Sequence, residues 1–243
     1  TKYRRSETQK RRLMFSILSW NILQGGGSRF NLILQQIAML RPTVCILSEF
    51  RNNESGLQLR YGLLRAGYRH QFVTQAPKDD NSVLIVSVLP CNSQLHPTSD
   101  PLYSHNILSV EFDIFRIMGV YLPHKKKHGL FEYLLDHFKN SDKPYIIAGD
   151  FNSGINGIDQ AGDSFWYEDQ LKEMNKIGYI DAFRFLHGDV REYSWYSHQG
   201  NGFRYDHTYI HESLSPVIKE CYYLHDWREQ KYSDHAPMVL KLS

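Results

Sequence analysis

Cysteine is scarce in this chain: Cys45, Cys91 and Cys221 are the only three among 243 residues, and no CxxC pair occurs. So sparse and odd a set speaks against a disulfide framework or a structural zinc site, and a reducing, cytoplasmic setting is expected. Long apolar runs are missing too. Nothing approaches the roughly 18–20 residues that a membrane helix needs, so no membrane partner is expected. Arg4, Arg5, Arg11 and Arg12 precede only the short Leu13–Leu18 run, without a small-residue cleavage site, so no secretory signal is expected either. Charge of one sign is also lacking. Against 28 Lys and Arg stand 26 Asp and Glu, a formal +2, so any nucleic-acid footprint must be local rather than global. There is no repeat, no low-complexity linker and no clean domain boundary.

What the chain does hold is apolar and aromatic. With 42% hydrophobic and 22% charged residues it reads as globular. Its 16 Tyr, 13 Phe and 4 Trp suit a sheet core and suit base or sugar stacking equally well. Basic residues cluster twice, from Arg4-Arg5 to Arg11-Arg12 and at Lys125-Lys126-Lys127; each reads first as solvated surface and second as a local basic face. Residues 1–12 are expected to be a flexible basic tail, and 13–243 a single domain that acts as a monomer.

Period and punctuation set out the elements. Leu13–Trp20 reads as a first strand, and Ser28 as the N-cap of a helix carrying Phe30, Ile33, Leu34, Ile37 and Leu40 until Pro42 stops it. A strand at Thr43–Ser48, a helix at Gly56–Ala66 and strands at Tyr68–Thr74 and Ser82–Leu89 follow, then a Pro/Asn/Ser-rich loop from Pro90 to Pro101. Ile107–Phe112 and Ile114–Leu122 read as antiparallel neighbours, and Gly129–Lys139 as a helix. Further helices are expected at Ser164–Lys176 and, as a short turn, at Asp181–Leu186; the last strands at Phe203–Ile210, Val217–Tyr222 and Ala236–Leu240. Many strands with interspersed helices indicate two packed sheets with helices outside.

The stretch Pro144-Tyr-Ile-Ile-Ala-Gly-Asp-Phe-Asn-Ser-Gly154 organises the rest. Its apolar run is a buried strand, and Asp150 and Asn152, two apart where it ends, leave on one face if the backbone stays extended. Polar residues end other apolar runs as well: Asn21, Glu49, Tyr121, Asp206 and the pair Asp234-His235. Such repetition points to one rim where these side chains converge. Carboxylates gathered there need a cation, and without a Cys/His ligand set that cation is a hard one bound by oxygen. Magnesium, which needs only one or two protein carboxylates, suits Glu49 first.

Trp20-Asn21, Glu49, Tyr121-Leu-Pro, Gly149-Asp-Phe-Asn152 and Ser233-Asp-His235 resemble, in order and over about residues 14–240, the endonuclease/exonuclease/phosphatase superfamily with its DNase I-like fold. Gly178-Tyr-Ile-Asp-Ala-Phe-Arg184, Tyr193-Ser-Trp-Tyr196 and Phe203-Arg-Tyr-Asp206 are similar to its exonuclease III/AP endonuclease branch. The resemblance implies a four-layered α/β sandwich, two mixed sheets flanked by helices. It implies Mg²⁺, with Mn²⁺ as a substitute, held by Glu49 with Asn21 and Asp234. Asp150 would orient or deprotonate the attacking water, Asn152 and His235 would hold phosphate oxygens, Asp206 would hold the imidazole, and Tyr121 would reach the scissile phosphate. Trp195, Phe203, Arg204, Tyr205 and His124 would meet the substrate. That substrate is expected to be duplex DNA with an abasic or 3′-blocked lesion, and the activity AP endonuclease with 3′→5′ exonuclease or 3′-phosphodiesterase action.

Departures temper the match. Leu23 stands where the family often has an acid, His124 where its DNA enzymes usually carry Asn, and Ser197–Gly202 is short for a loop that inserts into DNA. A lipid head group, a nucleotide or RNA would suit the same fold, and a non-catalytic binding module is disfavoured by the intact carboxylates.

Overall fold

In the chain's own order, apolar runs and amphipathic stretches become β1 (Phe15–Asn21), α1 (Phe30–Leu40), β2 (Val44–Phe50), α2 (Glu54–Arg65), β3 (His70–Val73), β4 (Ser82–Ser87) and β5 (Asn92–Leu95). After these come β6 (Ile107–Glu111), β7 (Arg116–Tyr121), α3 (His128–Lys139), β8 (Tyr145–Asp150), α4 (Glu168–Lys176), β9 (Tyr179–Asp181) and α5 (Ala182–His187). The series closes with β10 (Trp195–Tyr196), β11 (Gly202–Phe203), β12 (Asp206–His211), β13 (Ile218–Tyr223), α6 (His225–Glu229) and β14 (Met238–Leu242). The computed structural model describes residues 14–96 and 105–243. The basic stretch before residue 14, including the expected tail, lies outside them, as does the end of the Pro90–Pro101 loop.

Two six-stranded mixed sheets form, ordered β13-β14-β1-β2-β4-β3 and β5-β6-β7-β8-β12-β9, with β10-β11 a separate hairpin. Alternation along each strand decides the layers. Ile17 of β1 and Ile146 and Ala148 of β8 meet Ile46, Ile85 and Ile117 in the core between the sheets. Leu18 and Leu47 point the other way, against Ile33, Ile37, Leu59 and Leu63 of α1 and α2. Ile147 likewise meets Leu130, Leu134, Leu171 and Met174 of α3 and α4. Each such Ile, Leu or Met contributes roughly 1.5–3 kcal/mol on burial. The result is the expected sandwich, helix–sheet–sheet–helix.

Both parallel pairings, β1–β2 and β7–β8, are joined by a helix, α1 and α3, as a crossover requires. Their carboxyl ends therefore lie at one rim. Register does the rest: Tyr121 pairs with Asp150 across β7–β8, and Asp206 with Asp150 across β12–β8. Three of the residues singled out from strand ends thus stand in one row. No helix among the described residues is long and apolar enough to cross a membrane.

Some elements differ from expectation. Ser28 caps nothing: a 3-10 turn at Gly27–Arg29 precedes α1, and Arg29 occupies its N-cap position. The Arg29 guanidinium instead bonds the carbonyls of Ile22, Leu23 and Tyr232, tying two rim loops together. β5 lies inside the presumed loop because it is an exposed, polar edge strand that shows no apolar alternation. The strand expected at Phe203–Ile210 breaks in two, since Arg204 and Tyr205 leave the ladder between β11 and β12.

Candidate active site

The rim is built around Asp150, fully buried at the end of β8. Gly149 before it has φ 153°, and a Cβ there would sit 1.9 Å from the Val120 carbonyl, so only glycine lets β7 and β8 run on together. Beyond Asp150 the backbone turns rather than staying extended, with Asn152 at φ 45°. That turn folds Asn152 back: its amide N–H reaches Asp150 Oδ1 at 2.8 Å and its side-chain amide reaches Oδ2 at 3.0 Å.

Asn21, at the end of β1, links the two sheets. Its Nδ2 donates to Asp150 Oδ2 at 2.9 Å and to Glu49 Oε1 at 3.1 Å. Glu49 sits at a bulge in β2 with φ 52°, and Leu23 and Gln24 opposite are also left-handed, a concentration of backbone strain typical of working sites. The Gln24 N–H donates to Glu49 Oε2 at 2.8 Å. One amide thus bridges two carboxylates whose oxygens face the same space.

On the other side of Asp150 lies a second pair. His235 Nδ1 and Asp206 Oδ2 are 2.7 Å apart, both groups buried. Burial alone would disfavour the imidazolium, but the Asp206 carboxylate, helped by Asp150 and Asp234, overrides it and lifts His235 to about 10. Burial is also the main reason the Asp150 carboxyl is pushed up to about 7; His235 draws it down and Asp206 raises it further. Asp206 Oδ1 is buried without a hydrogen-bond partner among the described residues. Ligand atoms of Asp150, Asp206 and His235 all lie within 4.8 Å of one another. The Trp20 indole holds the His235 carbonyl at 3.2 Å, and Ser233 Oγ donates to the Asn21 carbonyl at 2.6 Å, so β1 fixes the loop that carries the imidazole.

Tyr121 takes a hydrogen bond from Asn81 on its hydroxyl, which burial and the nearby Glu49 and Asp150 keep protonated. Asp234 accepts the Trp195 indole N–H at 3.0 Å. Trp195 in turn leans on Tyr205, whose ring stacks on Phe203 at 5.3 Å between centroids. These three rings, with His124 and Asn152, line a cavity of about 520 Å³ beside the carboxylates.

One expected substrate residue is not there. Arg204 is wholly buried, its Nε 2.7 Å from Asp159 and its Nη2 2.5 Å from Asp181. It belongs to a core ion network that also takes in Arg184 and His207, and it cannot touch a substrate. In β11–β12 its two neighbours point to the cavity while Arg204 points the other way, the ordinary alternation of extended chain.

The Lys125-Lys126-Lys127 run reads first as solvated surface, and the structure corrects this for Lys127. It is fully buried, its Nζ donating to the carbonyls of Phe151 and Asn152, each at 2.7 Å. Burial lowers the ammonium to about 7, against the pull of Asp150. Lys127 therefore pins the turn that carries Asp150 and Asn152. A run of like charges conceals such a residue; only its place just before α3 sets it apart.

A family model described as Endonuclease/Exonuclease/phosphatase family matches residues 18–235. The chain belongs to that family. Among relatives, an exodeoxyribonuclease of Streptococcus pneumoniae is 28% identical over 167 residues, 56% of this chain and 58% of the relative's length. Recombination repair protein 1 of Drosophila melanogaster is 26% identical over 161 residues, 55% of this chain and 23% of that protein. In each case much of the relative lies outside the match. Two solved structures share the fold: an AP endonuclease from Archaeoglobus fulgidus, with TM-score 0.83, 20% identity and coverage of 94% of this chain and 99% of that one; and a 3′-5′ exonuclease from Neisseria meningitidis, with TM-score 0.80, 19% identity and coverage of 94% and 100%. The family's DNase I-like sandwich is thus the architecture of this chain.

Proposed function

We propose that this family member is a metal-dependent phosphodiester hydrolase acting on DNA, an AP endonuclease with 3′→5′ exonuclease or 3′-phosphodiesterase activity. The observation that carries the reading is the joining of two devices at one rim: the bridged carboxylates Glu49 and Asp150, and the Asp206–His235 pair, both opening on an aromatic cavity. The similarity to a pneumococcal exodeoxyribonuclease, and to an AP endonuclease in fold, supports it.

The donors suit a hard divalent cation. Glu49 offers carboxylate oxygen beside the Asn21 amide, and none of the three free cysteines is among the residues gathered here. Glu49 with Asn21 would hold Mg²⁺, or Mn²⁺ in its place, with Asp234 near it; the bound ion would supply neutralisation of the phosphate charge. The chain's own groups do the remainder. Asp150, its carboxyl raised towards neutrality, orients and deprotonates the attacking water. Asp206 supports the His235 imidazolium and fixes its ring, so that Nε2–H is left to donate to a phosphate oxygen. Asn152 and Tyr121 add donors to the same phosphate. Trp195, Phe203 and Tyr205 receive the sugar of an extruded, base-less nucleotide, which costs least to flip because no pair must be broken.

Incubation with Mg²⁺ and three substrates tests this: a duplex bearing one abasic-site analogue, an intact duplex, and a lipid head-group or chromogenic diester. Selective incision of the first is expected. Hydrolysis of the small diester with the abasic duplex left intact would transfer the chain to another substrate class of its family.

A further inference from the structure

Trp166 stands at the rim of the same cavity, 72% exposed. A side chain so large and apolar is costly to leave in water, and loose chain would let it fold away. Here it cannot. The Asn156 side chain takes the Phe165 N–H at 2.8 Å and donates to the Phe165 carbonyl at 3.2 Å. On the other flank, Tyr167 accepts the Lys127 N–H at 3.2 Å and stacks on Phe131 at 5.7 Å. Trp166 is thus held outward between two anchored neighbours, and the Lys125 ammonium lies 5.3 Å from its ring centroid. An exposed indole with a cation above it, beside a cavity walled by Trp195, Phe203 and Tyr205, is the equipment of a stacking platform for a base and its phosphate.

We propose that Trp166 and Lys125 form a platform on which the base of an unstacked nucleotide next to the cleaved phosphate lies, and that this platform sets the enzyme's preference for unpaired over paired nucleotides. The proposal rests on the nuclease reading and specifies the substrate of that site. Two sources of such a nucleotide exist, a mismatched 3′ end on duplex and a single strand, and both belong in the test.

The experiment measures kcat/KM for wild type, Trp166→Ala, Trp166→Phe and Lys125→Gln on four DNAs: a duplex with a mismatched 3′ end, a single strand, a matched duplex and the abasic-analogue duplex. Loss of one stacked base should lower cleavage of the unpaired substrates by about 5–100-fold in Trp166→Ala. The abasic-analogue duplex should suffer at least about five times less, and Trp166→Phe should restore most of the selectivity. Lys125→Gln should reduce both and weaken the salt dependence. Reduction confined to the mismatched duplex assigns the platform to terminal nucleotides; reduction on both unpaired substrates assigns it to unpaired nucleotides in general. Equal loss on all four DNAs, or no loss, overturns the platform while the nuclease reading stands. Failure of wild type to cut any of them overturns that reading and the platform with it.

Discussion

Replacing Arg204 with Met should unfold the protein at lower temperature without altering how it holds substrate. Its guanidinium is fully buried and shared between Asp159 and Asp181, which without it keep only the partly exposed Arg184 and the His207 ring. Removing one partner of a buried ion pair costs about 3–5 kcal/mol, because the carboxylates left behind are stranded away from water. For a chain of this size about 1 kcal/mol corresponds to roughly 2–4 °C, so Tm should fall by about 6–20 °C. Arg204→Lys, which keeps the charge but loses the planar fork, should fall between. The acid limb gives an independent check. Burial opposes ionisation of Asp159 and Asp181, yet Arg204 overrides it and holds both carboxyls below the usual carboxylate range. Their contribution is therefore complete above the unfolded value of about 4 and is lost as pH falls through it towards the folded values. In Arg204→Met the carboxyls lose that support, so the stability gap from wild type should close as pH drops below about 4. Thermal unfolding followed from pH 3 to 7, with KM measured well below the lower Tm, decides the matter. An unchanged Tm with KM raised tenfold would return Arg204 to the substrate and refute the reasoning.

Other perturbations separate the parts of the site. Asp150→Asn and His235→Ala should each lower kcat by about 10²–10⁴-fold, and Asp206→Asn should be severe because it removes the carboxylate that sustains the His235 imidazolium. Since Asp206 and His235 share one hydrogen bond, the double variant Asp206→Asn/His235→Ala should be scarcely worse than His235→Ala alone; additive losses in kcat would show that the two act separately. Lys127→Met leaves the Phe151 and Asn152 carbonyls unbonded, and the loosened turn should reduce kcat by up to about 100-fold with KM little changed. A raised KM and a flatter salt dependence, with kcat intact, would instead make Lys127 a phosphate contact.

How much of this was legible in the chain differs by residue. Tyr145–Ala148 is apolar on both faces and bounded by Pro144 and Gly149, so β8 and the position of Asp150 could be read directly. Asn21, Glu49, Tyr121 and Asp206 were legible as breaks in apolar runs; register sets Tyr121 and Asp206 beside Asp150, and the Asn21 amide joins Glu49 to them from the other sheet. Arg204 misled because its flanking aromatics do face the cavity, while its partners Asp159 and Asp181 lie 45 and 23 residues away. Lys127 misled because charge runs usually mean solvent; its desolvation is balanced by carbonyls that no local pattern announces. Trp166 gave no signal of its own, since exposure of a tryptophan depends on how its neighbours are anchored.

The most direct test of the account is the metal dependence of incision at a single abasic-site analogue in duplex DNA. Glu49, joined to Asp150 through the Asn21 amide in the fold, is read with Asn21 and Asp234 as the holder of a divalent cation. Activity should vanish in excess EDTA and return with Mg²⁺ or Mn²⁺, and Glu49→Ala should require far more metal to reach half its maximal rate. Undiminished turnover in EDTA, or a Glu49→Ala enzyme with the metal dependence of wild type, would contradict it.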